Sequence, residues 1–139
     1  MSILLDTNVL SEVLRSSPDA AALAWFSSQR DEDLFVSAIT QAEMQLGARL
    51  LPHGKRRDRL QAALRNLFEV DFVNRVLPFD DSAVSHFVET VASRRLSGRP
   101  ISQFDAQIAA IALNRSLALA TRNTRDFEGC GLGLIDPWA

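Results

Sequence analysis

Residues 3–8 read Ile-Leu-Leu-Asp-Thr-Asn, a short apolar run that ends on a carboxylate. The run is too brief and too continuous for an amphipathic helix, so we predict a buried strand over residues 3–5. Helical sequence follows from residue 8 to about residue 15. A buried strand that leads directly into a helix is typical of α/β proteins with a parallel sheet.

The rest of the chain continues this alternation of strands and helices. Four further apolar runs are predicted strands: 34–38, 72–79, 117–121 and 132–135. Between them, helices are predicted to begin at Ser17-Pro18, at Thr40, after the turn 52–54, at Asp80 and at Ser102. The helix after Asp80 is predicted to face the core with Val84, Phe87, Val88, Val91 and Ala92. We therefore predict an α/β fold with a short, mostly parallel central sheet and helices on both faces.

Composition limits the classes of protein that this chain can belong to. It has 139 residues, 47% of them hydrophobic, and a net charge of -2, which fits one domain over residues 1–139. A single cysteine, Cys130, excludes an internal disulfide and favours a reducing compartment. No apolar run approaches the ~20 residues of a membrane helix, and no signal peptide is evident. We expect a cytoplasmic protein that does not coat nucleic acid through bulk charge, which still permits a nuclease with an acidic site.

Polar residues follow the predicted strands at the edge where parallel sheets bind ligands. Asp6 ends the first strand, while Asn123 and Asp126 follow the strand 117–121. Asp105 and Glu43 each lie in the first turn of a predicted helix, after Ser102 and Thr40 respectively. Acids from separate segments are therefore expected to meet at one end of the sheet.

Several carboxylates in one cleft repel one another unless a cation neutralises them. Hard divalent cations such as Mg²⁺ prefer oxygen ligands, and such ions activate water against phosphodiesters. The pattern therefore suggests metal-assisted hydrolysis. Each acid also has an ordinary structural explanation: Asp105 fits a capping box, Glu43 a helix start and Asp6 a turn or N-cap.

Four stretches, taken in order, resemble the conserved motifs of one family. Residues 3–10 (Ile-Leu-Leu-Asp-Thr-Asn-Val-Leu) and 37–47 resemble the first two acidic motifs of the PIN-domain ribonucleases. Residues 104–112 (Phe-Asp-Ala-Gln-Ile-Ala-Ala-Ile-Ala) and 121–127 (Thr-Arg-Asn-Thr-Arg-Asp-Phe) resemble the third and fourth. The similarity covers essentially the whole chain, and it is greatest to the VapC toxins of bacterial toxin–antitoxin pairs, especially the FitB-like group.

This resemblance implies a PIN-like fold and a metal-dependent endoribonuclease that hydrolyses RNA phosphodiester bonds. Asp6, Glu43 and Asp105 take the three core acidic positions and would bind Mg²⁺ or Mn²⁺, with Glu43 acting through water or placing the attacking water. Many members carry Asp where this chain has Asn123, so either Asn123 or Asp126 fills the fourth catalytic position. That difference leaves open whether one or two ions bind.

The same resemblance implies the partners of the protein. It implies a homodimer or a larger toxin–antitoxin assembly, neutralised by a small VapB/FitA-like antitoxin that alone contacts promoter DNA, with no membrane. RNA phosphates require basic side chains around the acidic site, and the chain offers several groups of them. These groups are Arg49 with residues 55–59, then Arg94, Arg95 and Arg99, then Arg122 and Arg125.

Two other functions compete with this one. A non-catalytic PIN-like binding module is expected to lack core carboxylates, and all three are present. A phosphotransferase of the haloacid-dehalogenase type also opens with an Asp after the first strand. That class has a second Asp two residues later, where this chain has Asn8.

Overall fold

The strand that opens the chain lies at the centre of the sheet. The computed structural model describes residues 1–139 and has five strands in the order β3-β2-β1-β4-β5, with every neighbouring pair parallel. Their bounds are β1 Ile3–Leu5, β2 Leu34–Ser37, β3 Val76–Leu77, β4 Ala118–Ala120 and β5 Leu134–Ile135. Because all strands run the same way, the residues that follow β1, β2 and β4 share one edge.

Six α-helices connect and cover these strands. They are α1 Thr7–Val13, α2 Ala20–Ser28, α3 Ala38–Arg49, α4 Lys55–Asn66, α5 Val84–Leu96 and α6 Gln103–Asn114. Short 3-10 turns span Asp31–Asp33, Asp81–Ala83 and Thr124–Phe127, and a π-helical turn spans Leu67–Asp71. None of the helices is long and apolar enough to cross a membrane.

The core lies in two layers, one on each face of the sheet. Alternate residues of β1 point to opposite faces: Ile3 and Leu5 join one cluster, and Leu4 joins the other. The first cluster packs the sheet against α1, α3 and α4, the last of which contributes the buried Leu64. The second cluster packs it against α6, on which α5 rests. The predicted α/β sheet with helices on both faces is therefore confirmed.

One predicted strand is much shorter than expected. The prediction ran over residues 72–79, but only Val76–Leu77 pair with β2. Phe72 instead ends the π-helical turn, and its backbone N–H donates to the Leu67 carbonyl at 2.8 Å. Asn74 then takes a left-handed conformation with φ 63°, which interrupts extended structure.

Two helices begin at residues other than those predicted. Ser37, rather than Thr40, caps α3, because its side chain accepts from the Thr40 backbone N–H. Asp19, rather than Ser17, caps α2, because its carboxylate accepts from the Ala22 backbone N–H at 3.0 Å. Ser and Asp are both strong cap residues, so a nearby alternative is enough to mislead a prediction from sequence.

The buried face of α5 also differs from the prediction. Val84 and Val88 are 46% and 53% exposed. Phe87 is half-buried and meets Phe79 edge to face at 5.7 Å, and Thr90 and Arg94 are buried. The helix is thus rotated so that polar residues, including an arginine, face the protein.

Candidate functional site

Asp6 lies at the carboxyl end of the central strand and is only 5% exposed. Its Oδ1 accepts from the Thr7 backbone N–H at 2.8 Å, so it caps α1. Its Oδ2 accepts from the Thr121 hydroxyl at 2.8 Å and from Asn8 Nδ2 at 3.3 Å. Neutral donors alone hold this carboxylate, because no arginine or lysine forms an ion pair with it.

Thr121 ties the loop after β4 to the end of β1. Its hydroxyl is fully buried, donates to Asp6, and accepts from Asn8 Nδ2 at 3.3 Å and from the Asn123 backbone N–H at 3.0 Å. Asn8 Oδ1 in turn accepts from the Arg122 backbone N–H at 3.2 Å. Strands β1 and β4 therefore share one hydrogen-bonded network at the predicted site edge.

Glu43 reaches the same edge from α3. Because this helix begins at Ala38, Glu43 lies in its second turn rather than in the first turn predicted. Its Oε1 accepts from the Thr7 hydroxyl at 3.0 Å, and that hydroxyl also lies 3.0 Å from Thr40 Oγ1. The other carboxylate oxygen of Glu43 makes no hydrogen bond within the protein and is free to meet a ligand.

Asp105 lies in the first turn of α6, where the Ser102 hydroxyl accepts from its backbone N–H at 3.2 Å. Its half-buried side chain lines a cavity of about 190 Å³ together with Ser102, Arg94 and Asp126. Asn123 is exposed, and its side-chain amide makes no hydrogen bond. The structure thus places Asp126 beside Asp105, while Asn123 contributes its backbone N–H to the Thr121 network.

Neighbouring negative charges contribute to the raised pKa values of Asp6 and Asp105. Burial, opposed by the hydrogen bonds from Thr121 and Thr7, raises the pKa of Asp6 from 3.8 to about 6, and the charges of Asp105 and Glu43 add to the effect. Burial likewise raises the pKa of Asp105, the Asp126 charge raises it further, and the Ser102 hydrogen bond and the Arg94 charge oppose the rise. Asp6 therefore lies within electrostatic reach of Asp105 and Glu43, and the charge of Arg94 offsets part of this negative charge at Asp105.

The chain also matches the model of a protein family. Residues 3–129 match the model of the PIN domain. The chain belongs to the PIN-domain family. This membership confirms the resemblance seen in the four motifs.

Relatives of this PIN domain match it over nearly their whole lengths. It is 45% identical to the "Plasmid stability protein StbB" of Pseudomonas syringae pv. tomato, over 98% of each chain. It is 43% identical to the "VapC ribonuclease Y4jK" of Sinorhizobium fredii, over 98% of this chain and 97% of that one. It is 39% identical to the "Toxin FitB" of Neisseria gonorrhoeae, over 98% of each.

A solved structure has closely similar geometry. The structure of FitAB bound to an IR36 DNA fragment contains a chain that superposes with a TM-score of 0.93 at 38% identity. The match covers 99% of this PIN domain and 96% of that chain. The predicted PIN-like fold is therefore confirmed.

The donor set of this PIN domain suits a hard divalent cation. All the converging ligand atoms are carboxylate oxygens, and the pKa of Asp6 is raised mainly by burial and further by the charges of Asp105 and Glu43, which a cation would relieve. No three acidic, histidine or cysteine side chains stand close enough to hold one ion directly. Mg²⁺ commonly needs only one or two carboxylates and keeps several waters, so the residues present fit such an ion.

Two residues of the site, Thr40 and Arg94, were not assigned to it from the sequence. Thr40 was predicted only as a cap, but it is fully buried and contacts the hydroxyl of Thr7 within the site. Arg94 was grouped with exposed basic residues, but it is 6% exposed and lines the Asp105 cavity. The Ser-x-x-Thr spacing of residues 37–40 was an available signal for the first, whereas nothing local to Arg94 distinguishes it from its exposed neighbour Arg95.

Proposed function

We propose that this protein is a divalent-metal-dependent endoribonuclease that acts as the toxin of a toxin–antitoxin pair. The observation that carries the proposal is the buried Asp6, held by neutral donors and placed where it senses the charges of Glu43 and Asp105. Membership of the PIN-domain family and similarity to a VapC ribonuclease and a toxin support the same function.

In this proposal Asp6 and Asp105 hold Mg²⁺ or Mn²⁺, and Glu43 binds water at the site. The ion, when bound, lowers the pKa of water and stabilises developing charge on the phosphodiester. Thr7 donates to one oxygen of Glu43 and so orients the other toward the cleft. Thr121 and Asn8 orient Asp6 in the same way from the other side. No histidine or lysine is required as a general base.

The fourth catalytic position belongs to Asp126 or Asn123. The shared cavity of Asp126 and Asp105 favours Asp126 as the residue nearer to the reacting groups. Asn123 is held by its backbone at the end of β4, from which its free side-chain amide could supply a neutral oxygen. Single substitutions Asp126→Asn and Asn123→Ala are expected to separate the two, and the position that matters shows the larger loss of cleavage.

A cleft next to Glu43 offers a place for the antitoxin. A cavity of about 460 Å³ begins at Thr7 and Glu43 and continues past Met44 to Leu60 and Leu64. A mainly apolar groove that ends at the acidic site suits a short segment of a partner chain. We place a segment of a VapB/FitA-like antitoxin there, in a cytoplasmic assembly of toxin homodimers that contacts promoter DNA only through the antitoxin.

The test of this function is cleavage of total bacterial RNA by the protein freed of any bound partner. Parallel reactions contain Mg²⁺, Mn²⁺ or EDTA, and Asp6→Asn is assayed with metal. The matched control is Asp58→Asn, the same change at an exposed position on α4. Discrete fragments are expected with metal and with the control, and none with EDTA or Asp6→Asn.

Other outcomes would support the competing functions. Well-folded protein that binds RNA but cleaves none with either metal would indicate a binding module. Turnover of a small chromogenic phosphate ester in place of RNA would indicate a phosphatase. Mapping the fragment ends would identify the RNA and the cleavage site.

A further inference from the structure

Arg94 is a buried cation without a paired anion. It is 6% exposed, and no carboxylate forms an ion pair with its guanidinium. Arginine is almost never buried this deeply unless an opposite charge meets it. The charge of Arg94 acts on Asp105, whose pKa it lowers, but no carboxylate lies within ion-pair distance, so the guanidinium can still bind a further anion.

The hydrogen bonds of Arg94 leave one nitrogen of its guanidinium unused. Nε donates to the Arg99 carbonyl at 2.6 Å, and Nη1 donates to the carbonyls of Asp126 at 2.7 Å and Glu128 at 3.4 Å. Nη1 also lies 3.5 Å from Cys130 Sγ. A guanidinium has five N–H donors, and the two on Nη2 meet no acceptor in the protein. The side chain is thus rigidly held with its free end still able to bind.

A polar cavity adjoins this side chain. Arg94 lines the cavity of about 190 Å³ that holds Asp105 and Ser102, several times the ~30 Å³ share of one water. Ser102 Oγ accepts from the Asp105 backbone N–H, so its own hydrogen remains free to donate. The N-terminus of α6, a helix of 12 residues, also opens there and favours negative charge.

Arg99 is hydrogen-bonded to the loop that carries Asp126. Arg99, whose carbonyl receives the Arg94 Nε bond, donates from Nη2 to the Arg125 carbonyl at 3.2 Å. Arg99 Nη2 also pairs with Glu128 at 3.5 Å, so Arg94 is the arginine that lines the cavity with its Nη2 unpaired. Guanidinium groups bind phosphate oxygens through paired N–H donors, which ammonium groups do not.

We propose that the cavity between Arg94 and Ser102 binds a phosphate of the RNA backbone, with Arg94 Nη2 and Ser102 Oγ as donors. This proposal rests on the proposed function and names a substrate-binding subsite for it. Asp105 and Asp126 share the cavity and oppose an anion. The subsite therefore fills only when their charge is compensated, which couples phosphate binding to the divalent ion.

The test measures binding of a short labelled single-stranded RNA by fluorescence anisotropy. The parent protein carries Glu43→Gln to suppress cleavage, and Mg²⁺ is present while salt is varied from about 50 to about 200 mM. Arg94→Gln is expected to weaken binding about tenfold at low salt and to reduce the salt slope by about 0.7, the value for one single-strand phosphate. EDTA is expected to weaken binding by the parent toward the level of Arg94→Gln.

The control is Arg115→Gln, which removes the same charge at the other end of α6. It is expected to keep the affinity and salt slope of the parent. Thermal unfolding of every variant shows whether it folds. If Arg94→Gln does not fold, Ser102→Gly replaces it, because glycine is a tolerated N-cap although the hydroxyl is lost both as donor and as acceptor for the Asp105 N–H. That variant is expected to bind RNA about threefold more weakly.

The outcomes separate this subsite from the proposed function. RNA binding by the parent with an unchanged salt slope in Arg94→Gln, or an unchanged affinity in Ser102→Gly, would overturn the subsite alone. Absence of RNA binding by the parent, together with absence of cleavage by the unsubstituted protein, would overturn both.

Discussion

The Asp6 carboxyl is held in an environment that favours its neutral form. Its folded-state pKa of about 6 lies above the ordinary 3.8, so between these pH values the folded protein binds more protons than the unfolded chain. The stabilising contribution of this group is therefore full below about pH 4 and is lost as the pH rises through about 6. In metal-free protein above that pH, the buried carboxylate of Asp6 is charged and is repelled by the charges of Glu43 and Asp105.

We therefore expect Asp6→Asn to be more stable than the unsubstituted protein in EDTA at pH 7.5. The difference in the free energy of unfolding should be about 1–3 kcal/mol, because the pKa rise corresponds to at most about 3 kcal/mol. It should shrink toward zero near pH 4. Urea unfolding at both pH values measures it, with Asp58→Asn as the control that changes little. If Asp6→Asn is less stable than the unsubstituted protein at pH 7.5, this explanation of the Asp6 pKa is wrong.

Thr121 is the residue on which the hydrogen bonds of the site converge. Thr121→Val keeps the shape but removes the donor to Asp6 and the acceptor for Asn8 and Asn123. A loss of about 1–3 kcal/mol in stability is expected from buried polar groups left unpaired. Cleavage should fall at least tenfold, and Thr121→Ser should restore most of both. Normal cleavage by the Val variant would show that the hydroxyl does not orient Asp6.

The sequence predicted which acidic residues approach one another but not which residues hold them in place. Asp6 follows from a short apolar strand, and Asp105 from a cap three residues earlier, so local patterns are sufficient for both. The buried Thr40 and Arg94 depend on how α3 and α5 are rotated about their axes, which tertiary packing decides. No window of sequence around Arg94 contains the carbonyls of residues 126–128 that receive its hydrogen bonds.

Among the helices, α2 offers a clean test of capping. Asp19 accepts from the Ala22 backbone N–H, and the Asp19 N–H donates to the buried Glu12 at 2.9 Å. Asp19→Ala is expected to lower the free energy of unfolding by about 1 kcal/mol, the usual value of a lost N-cap. Ser17→Ala should change it by much less, because Ser17 is exposed and caps no helix. Thermal or urea unfolding distinguishes the two, and a larger loss for Ser17→Ala would reverse the assignment.

The strands that were predicted correctly are those that are buried on both faces of the sheet, because a wholly apolar stretch of sequence indicates such a strand clearly. Strands β1 and β4 are central and wholly apolar, and they lie where predicted, with ends that differ by a residue or so. The predicted strand 72–79 failed because its alternation of apolar residues also suits a π-helical turn followed by a left-handed Asn74. In α5, the spacing of Val84 and Val88 indicated a core face, yet the helix buries Thr90 and Arg94 instead.

For the whole molecule, the parallel sheet explains why acids distant in sequence meet. Strands β1, β2 and β4 are neighbours, so Asp6, Glu43 on the helix after β2, and the loop after β4 all reach the same edge. Asp105 arrives from the start of α6, which leads into β4. Packing of the hydrophobic layers thus brings negative charges together, and their repulsion lowers the stability of the metal-free protein. A bound cation would remove this repulsion and so regain that stability.

A divalent ion should therefore stabilise the folded protein, and more strongly at higher pH. At pH 7.5, Mn²⁺ at about 100 times its dissociation constant is expected to add about 2.7 kcal/mol to the free energy of unfolding. At pH 5 the stabilisation should be much smaller, because Asp6, whose pKa is about 6, is then mostly protonated and must release a proton to bind the ion. Thermal unfolding with increasing Mn²⁺ measures both, and Asp6→Asn should lose most of the effect while Asp58→Asn keeps it. Equal stabilisation at the two pH values, or in Asp6→Asn, would mean that the ion binds elsewhere on the protein.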